Sequence, residues 1–403
     1  MGLINKKSTA AATPSRNSEI TSQPVAITGL GLACHAGDQP FTLISSVLGQ
    51  MSGTQLSDAY MIKPIDGGAS VPARMAPIVS LGDISAIERF YQLATVSLKH
   101  ATAQLSANIK IESVLVVIMV DPQFIMHLMK VDPQYLQRHL QENIPSLGAA
   151  TFRILPKDTS SATNVLRASL AELNEGKWQA ILYGGADSLI SMYTCQELND
   201  DNRLYTLGKT EGIVPGEGAA FVVLQNTADT SKNTTPVLGY LRGIGVAAEP
   251  NARNPDLEIT EGLSSAISQA LAQAGLDASD IQGIVHNLGA ETVQSLEWLQ
   301  TTQKMWPQRV DEQQRMAVQM GEIEQAEIPD DPIPKIVSPY MTMGEVGAAA
   351  LPMQLATALT WLEYSVWQTR LGLPVRNHLL VCDTSEAPER GALIISTTLA
   401  ATT

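Results

Sequence analysis

Several stretches of the chain are apolar almost without a break. Val114–Val120 is the clearest, followed by Ala180–Tyr183, Ala219–Leu224, Leu379–Cys382 and Ala392–Ser396. Short continuous runs bounded by polar or turn-forming residues fit strands buried on both faces. Between them the period changes. From Ile84 to Leu105 the apolar positions Ile87, Phe90, Leu93, Ala94, Val96 and Leu98 recur at helical spacing, as do Val165, Leu166, Leu170 and Leu173. Thr260–Ala274 and Ala348–Leu362 read as further helices, with shorter ones over 41–49 and 189–200. Phe124–Leu140 is amphipathic and Met-rich, and its His127 and His139 read as packed or solvated histidines, not ligands. Residues 52–80, rich in Gly, Pro and Ser, read as loop. Strands alternating with helices predict an α/β fold.

The order of elements starts twice. Val25–Thr28 is a strand ending in Gly29-Leu30-Gly31, and Val237–Val246 is strand-like with Gly243-x-Gly245. Between them Asn226–Thr235 has the composition of a connection. The expected organisation is therefore an arm over 1–23, one half over 24–228 and a second over 236–403. Residues 303–335 interrupt the rhythm with Asp311-Glu312, Glu322, Glu324, Glu327 and Asp330-Asp331, an acidic surface insertion. The two-glycine turn lacks the third glycine of a dinucleotide fingerprint, since Cys34 stands there.

Composition narrows the functional classes. With 403 residues, 44% hydrophobic, the chain can bury a large core. A net charge of −14 leaves no basic face for nucleic acid. The three cysteines, Cys34, Cys195 and Cys382, are widely spaced and form neither a metal-ligand pattern nor a disulfide framework, so a reducing cytoplasm is the expected compartment. No apolar run has the length of a membrane span, and no membrane association is expected.

Candidate chemistry concentrates in Asp158–Asp187. Asp158-Thr159-Ser160-Ser161 opens a helix, and Ala180–Tyr183 returns to what reads as a tight turn, Gly184-Gly185-Ala186-Asp187. A helix start offers free N–H groups and the positive end of the dipole, which suits a nucleophile and equally suits ordinary capping.

Five segments, in order, resemble the β-ketoacyl synthase family of the thiolase superfamily. They are Val25–Gly31, Gly184–Ser188, Gly212–Ala220 with its Gly216-Glu217-Gly218, Val285–Gly289, and Ser338–Ala350. The resemblance implies a thiolase-like fold of two βαβαβαββ halves in five layers (α-β-α-β-α), forming a homodimer or a heterodimer with a synthase-like subunit. It implies no cofactor and no metal. It also implies a cysteine nucleophile at the start of the helix before the glycines. Counting back from Gly184 puts that position at Thr159, with Ser160 as the alternative hydroxyl. The first family histidine corresponds to His286, the second falls on Glu345, and the family lysine falls on Tyr340. The glycine-rich gating loop falls on Ser385–Arg390.

A carboxylate at Glu345 opposes a developing enolate charge, and a threonine hydroxyl is far from its alkoxide at neutral pH. The resulting expectation is a degenerate, catalytically inactive synthase-like protein. It would act as a structural, partner or adaptor subunit, in fatty acid or polyketide biosynthesis or beside a bacterial assembly or secretion system. An acyl carrier protein or another protein would be its partner. Two other readings stay open. One is an acyltransferase or thioesterase using Thr159 or Ser160 with His286 and Glu345. The other is a non-catalytic acyl-chain binder.

Overall fold

The computed structural model describes residues 23–65, 67–121, 132–156, 162–206, 209, 211–230, 236–252, 261–289, 291–308, 311–324, 332–369, 372, 375–384 and 388–399. In chain order the first half runs β1 (Val25–Cys34), α1 (Pro40–Leu48), β2 (Gln55–Ile62), β3 (Val71–Met75), α2 (Ala86–Thr102), β4 (Val114–Val120) and α3 (Pro133–Asn143). It continues with β5 (Thr151–Pro156), α4 (Ala162–Asn174), β6 (Ala180–Ser188), α5 (Met192–Asp200) and β7 (Glu217–Asn226). The second half runs β8 (Gly239–Ala248), α6 (Gly262–Ala274), β9 (Gly283–His286), α7 (Thr292–Met305), α8 (Glu312–Gln319), β10 (Ile336–Val337), α9 (Ala350–Gln368), β11 (His378–Asp383) and β12 (Glu389–Ser396).

The strand order is β5-β4-β6-β7-β1 in the first half and β10-β9-β11-β12-β8 in the second. Numbered within each half, both read third, second, fourth, fifth, first. The two first strands meet antiparallel through Val25–Ile27 and Gly239–Leu241, which joins ten strands into one hydrogen-bonded sheet.

Strand periodicity sorts the core into three bodies. Val114, Val116, Ile118 and Val120 of β4 point to a core shared with α2 and α3; Leu115, Val117 and Met119 point to a second core with α4 and α9. In the other half, Leu379 and Val381 of β11 enter that same central core, whereas Leu380 and Cys382 face a third one under α6 and α7. Period-two side-chain alternation on strands buried on both faces thus builds helix, sheet, helix, sheet, helix.

The glycine echo has a packing cause. A Cβ on Gly31 would lie 1.9 Å from Ser97 O and 2.6 Å from Ala101 N of α2; one on Gly245 would lie 1.9 Å from Ala266 O and 2.9 Å from Ala270 N of α6. In each half a helix lies directly on the backbone of the first strand. The expected turn at Gly29-Leu30-Gly31 is accordingly absent, and β1 continues to Cys34.

Other expectations are corrected too. Gly184 and Gly185 do not form a turn; β6 runs through them to Ser188. Gly185 admits the Ala348 carbonyl, which would sit 2.3 Å from any Cβ. The stretch read as loop over 52–80 contains the antiparallel pair β2–β3, whose Ala73 and Met75 bury against Cys195 and Leu204. Strand β5 and helix α7 were not expected at all. Within the acidic insertion, α8 buries none of its residues. His127 lies outside the described residues; His139 stacks on Tyr135 of the same helix and meets Tyr91 of α2 at a tilt. Among the described residues no helix is long and apolar enough to cross a membrane.

Candidate functional site

The segment resembling the lysine and second-histidine motif docks on the segment around Gly216-Glu217-Gly218. The Glu345 N–H donates to Val214 O, and the Gly216 N–H donates to Glu345 O, both at 2.8 Å. Tyr340 is buried; its hydroxyl accepts from the Val214 N–H at 2.9 Å and donates to Gly212 O at 3.3 Å. Burial pushes its pKa up, so it stays a neutral phenol. Glu345 turns back on its own loop, accepting at Oε1 from the Gly347 N–H at 3.0 Å.

Just beyond, buried Asp187 at the end of β6 accepts the Ala348 N–H at Oδ2, 2.9 Å, and the Ser188 N–H at Oδ1, 2.8 Å. Gly347 has φ +47, and a Cβ there would lie 2.0 Å from Asp187 Oδ2. Glycine is needed so that the carboxylate can cap the turn leading into α9. Glu217 is likewise buried and enclosed: Arg89 Nη1 and the Ile78 N–H donate to Oε1, and Ser188 Oγ donates to Oε2 at 2.8 Å. Its pKa is raised by burial.

His286 ends β9 with 1% of its surface exposed. It faces the side of Ile284, into the third core, with its ring 4.8 Å from that of Trp298. Nε2 lies 3.1 Å from Thr384 Oγ1, and buried Nδ1 has no hydrogen-bond partner among the described residues. Burial, then the Arg390 guanidinium, pushes its pKa down to about 3, so the imidazole is neutral at physiological pH. Arg390 Nε in turn donates to buried Glu297 at 2.6 Å.

The start of α4 meets the opposite face of the same sheet. Thr163 Oγ1 donates to Asp383 Oδ2 at 2.6 Å, Asn164 Nδ2 donates to Glu389 Oε1, and the Tyr183 hydroxyl donates to Ala162 O at 2.8 Å. Asp383 follows Leu379 and Val381 into the central core; His286 pairs with Cys382 and shares its outward face. The beginning of α4 and the His286 ring are therefore separated by the strands that carry them. Thr159, Ser160 and half of the expected gating loop, 385–387, lie outside the described residues.

The thiols offer no replacement nucleophile. Burial pushes Cys34 and Cys195 each up to about 12, and Cys382 higher still. Among the described residues no three His, Cys, Asp or Glu side chains converge as a metal site. The residues that organise this region and escaped the sequence reading are Thr163, Asp383 and Glu297; Arg390, read as part of a gating loop, instead pairs with Glu297. For Asp383 the one signal is an ionisable residue ending an apolar run, at Cys382-Asp383.

The fold is that of ketosynthases and chain length factors. The ishigamide ketosynthase/chain length factor matches with a TM-score of 0.67 and 14% identity, covering 94% of this chain and 100% of that one. A type II polyketide synthase acyl-carrier protein in complex with its ketosynthase matches with a TM-score of 0.67 and 13% identity, over 94% and 100%. In sequence, nodulation protein E of Rhizobium sp. (strain N33) is 26% identical over 153 residues, and that of Rhizobium meliloti 27% over 140. These matches span 36% and 34% of the relatives' length, about a third of each. No protein-family model matches the chain.

Proposed function

We propose that this chain is a catalytically silent ketosynthase-like subunit that works by association. The supporting observation is what fills the positions of the chemistry. Tyr340, in the lysine's place, ties two backbone segments together; Glu345, in the second histidine's place, braces its own turn; and His286 packs under Trp298 on the far side of the sheet from α4. Tyr340 and Glu345 are spent on backbone hydrogen bonds and His286 on packing and the Thr384 hydroxyl, and none brings a positive charge to an acyl thioester.

Strand β5 supports association. It is the edge of the sheet, pairing with β4 alone among the described strands, and its Phe152, Ile154 and Leu155 are only partly buried. A free edge with apolar side chains is a surface that proteins cover. A synthase-like subunit fits there, and an acyl carrier protein is the natural further partner, by analogy with the matched assemblies.

The test is purification of the tagged chain from its native cells, with wild type and Ile154→Lys in parallel. A stoichiometric complex with a synthase-like subunit, lost in the variant, is expected. Recovery of the chain only with itself, or a complex indifferent to the substitution, contradicts the reading.

A further inference from the structure

A groove of about 710 Å³ lies between the start of α1, the last turn of α2, the approach to β8 and the second half of α9. Its apolar walls include Leu30, Val237, Leu238 and Leu359; its acidic lining residues are Asp38 and Glu363, and His100 also lines it with Nε2 4.0 Å from Asp38 Oδ2. Helix α9 starts beside Asp187 and reaches the groove about two and a half turns later, roughly 14 Å away, so the groove is distinct from the region described above. The apolar surface continues outward. Phe41 is 63% exposed with its ring 5.7 Å from that of Tyr364, and Trp367 is 57% exposed. Exposed aromatic clusters beside a groove carrying two carboxylates mark a surface that something covers.

We infer that its occupant is the chain's own N-terminal segment, with Leu3 and Ile4 on the apolar walls and Lys6 and Lys7 against Asp38 and Glu363. Residues 1–22 precede the described structure. Within them Leu3-Ile4-Asn5-Lys6-Lys7 sets two aliphatic side chains beside two ammonium groups, which complements the groove in both hydrophobicity and sign. The reach also fits. Along β1, Leu30 lies about 17 Å from Val25, while the Leu238 wall of the groove is hydrogen-bonded to Ile27, about 7 Å from Val25. About sixteen residues separate Lys7 from Gln23, and a tether of that length has a root-mean-square span of roughly 20–24 Å. Effective concentration is highest when tether length matches the span, so even a weak contact is populated. Exposed ion pairs contribute little by themselves; burial of Leu3 and Ile4 supplies the affinity and the lysines set the register.

The experiment is zero-length carbodiimide cross-linking of the full chain, mapped by mass spectrometry, on an equal mixture of light and isotopically heavy protein. The expected result is that Lys6 and Lys7 couple within one chain to Asp38 and Glu363, enriched at least tenfold over the rest of the 40 acidic residues. In Leu3→Ser/Ile4→Ser, which keeps both lysines, that enrichment falls about tenfold. Coupling scattered over other acidic residues overturns the inference. So does coupling between light and heavy chains, which assigns the groove to a second copy. Enrichment unchanged in the double variant overturns it as well, since charge alone then accounts for the contact.

Discussion

Thr163 and Asp383 are hydrogen-bonded across the two halves: the threonine hydroxyl donates to Oδ2 at 2.6 Å, with both residues buried and 220 positions apart in the chain. One residue opens helix α4 of the first half; the other ends strand β11 of the second. The bond therefore fixes the helix that would carry a nucleophile against the opposite half. Replacing the hydroxyl by a methyl group strips a buried carboxylate of a donor. Thr163→Val is expected to lower stability by about 1.5–3 kcal/mol, read as a shifted urea midpoint at constant m-value.

A pH dependence follows from His286. Its folded value is about 3 against an ordinary value of 6.5, so the unfolded chain binds this proton more readily. Stability from the neutral, buried imidazole is complete above pH 6.5 and is lost as pH falls from there toward 3. Between pH 7.5 and 5.5 the wild type should lose about 1.4 kcal/mol more than His286→Leu. Urea unfolding of both proteins across that range measures it, and parallel curves would show a solvated histidine.

Gly185 is required by contact and not by backbone conformation. A Cβ there meets the Ala348 carbonyl oxygen, a backbone atom that moves only with the turn Asp187 caps. Gly185→Ala is expected to cost about 3 kcal/mol. Gly176→Ala is the control: it has φ +74 and nothing within 4 Å, so it should cost only about 1 kcal/mol. Thermal unfolding of the pair separates crowding from backbone strain.

The sequence was most legible where burial is symmetric. Val114–Val120 reads as a strand because both of its faces meet cores, leaving no polar residue to interrupt the run. Strand β2 and strand β3 were hidden because one face is solvent-exposed and Gly and Pro surround them. Strand β5 was hidden by its edge position and its central Arg153, which pairs with Glu172 at 2.9 Å. The glycines misled because a close approach between backbones needs glycine as much as a turn does, and sequence alone does not distinguish them. Tyr340, Glu345 and His286 were found from the order of motifs. The direction of His286 was not, since it depends on strand register: one residue of shift exchanges the outer core for the inner one.

Intact-protein mass spectrometry after exposure to acyl and malonyl thioesters tests the central claim most directly. The account predicts an unmodified mass and no thiol release above background. An acyl adduct that disappears in Thr159→Ala or Ser160→Ala would contradict it.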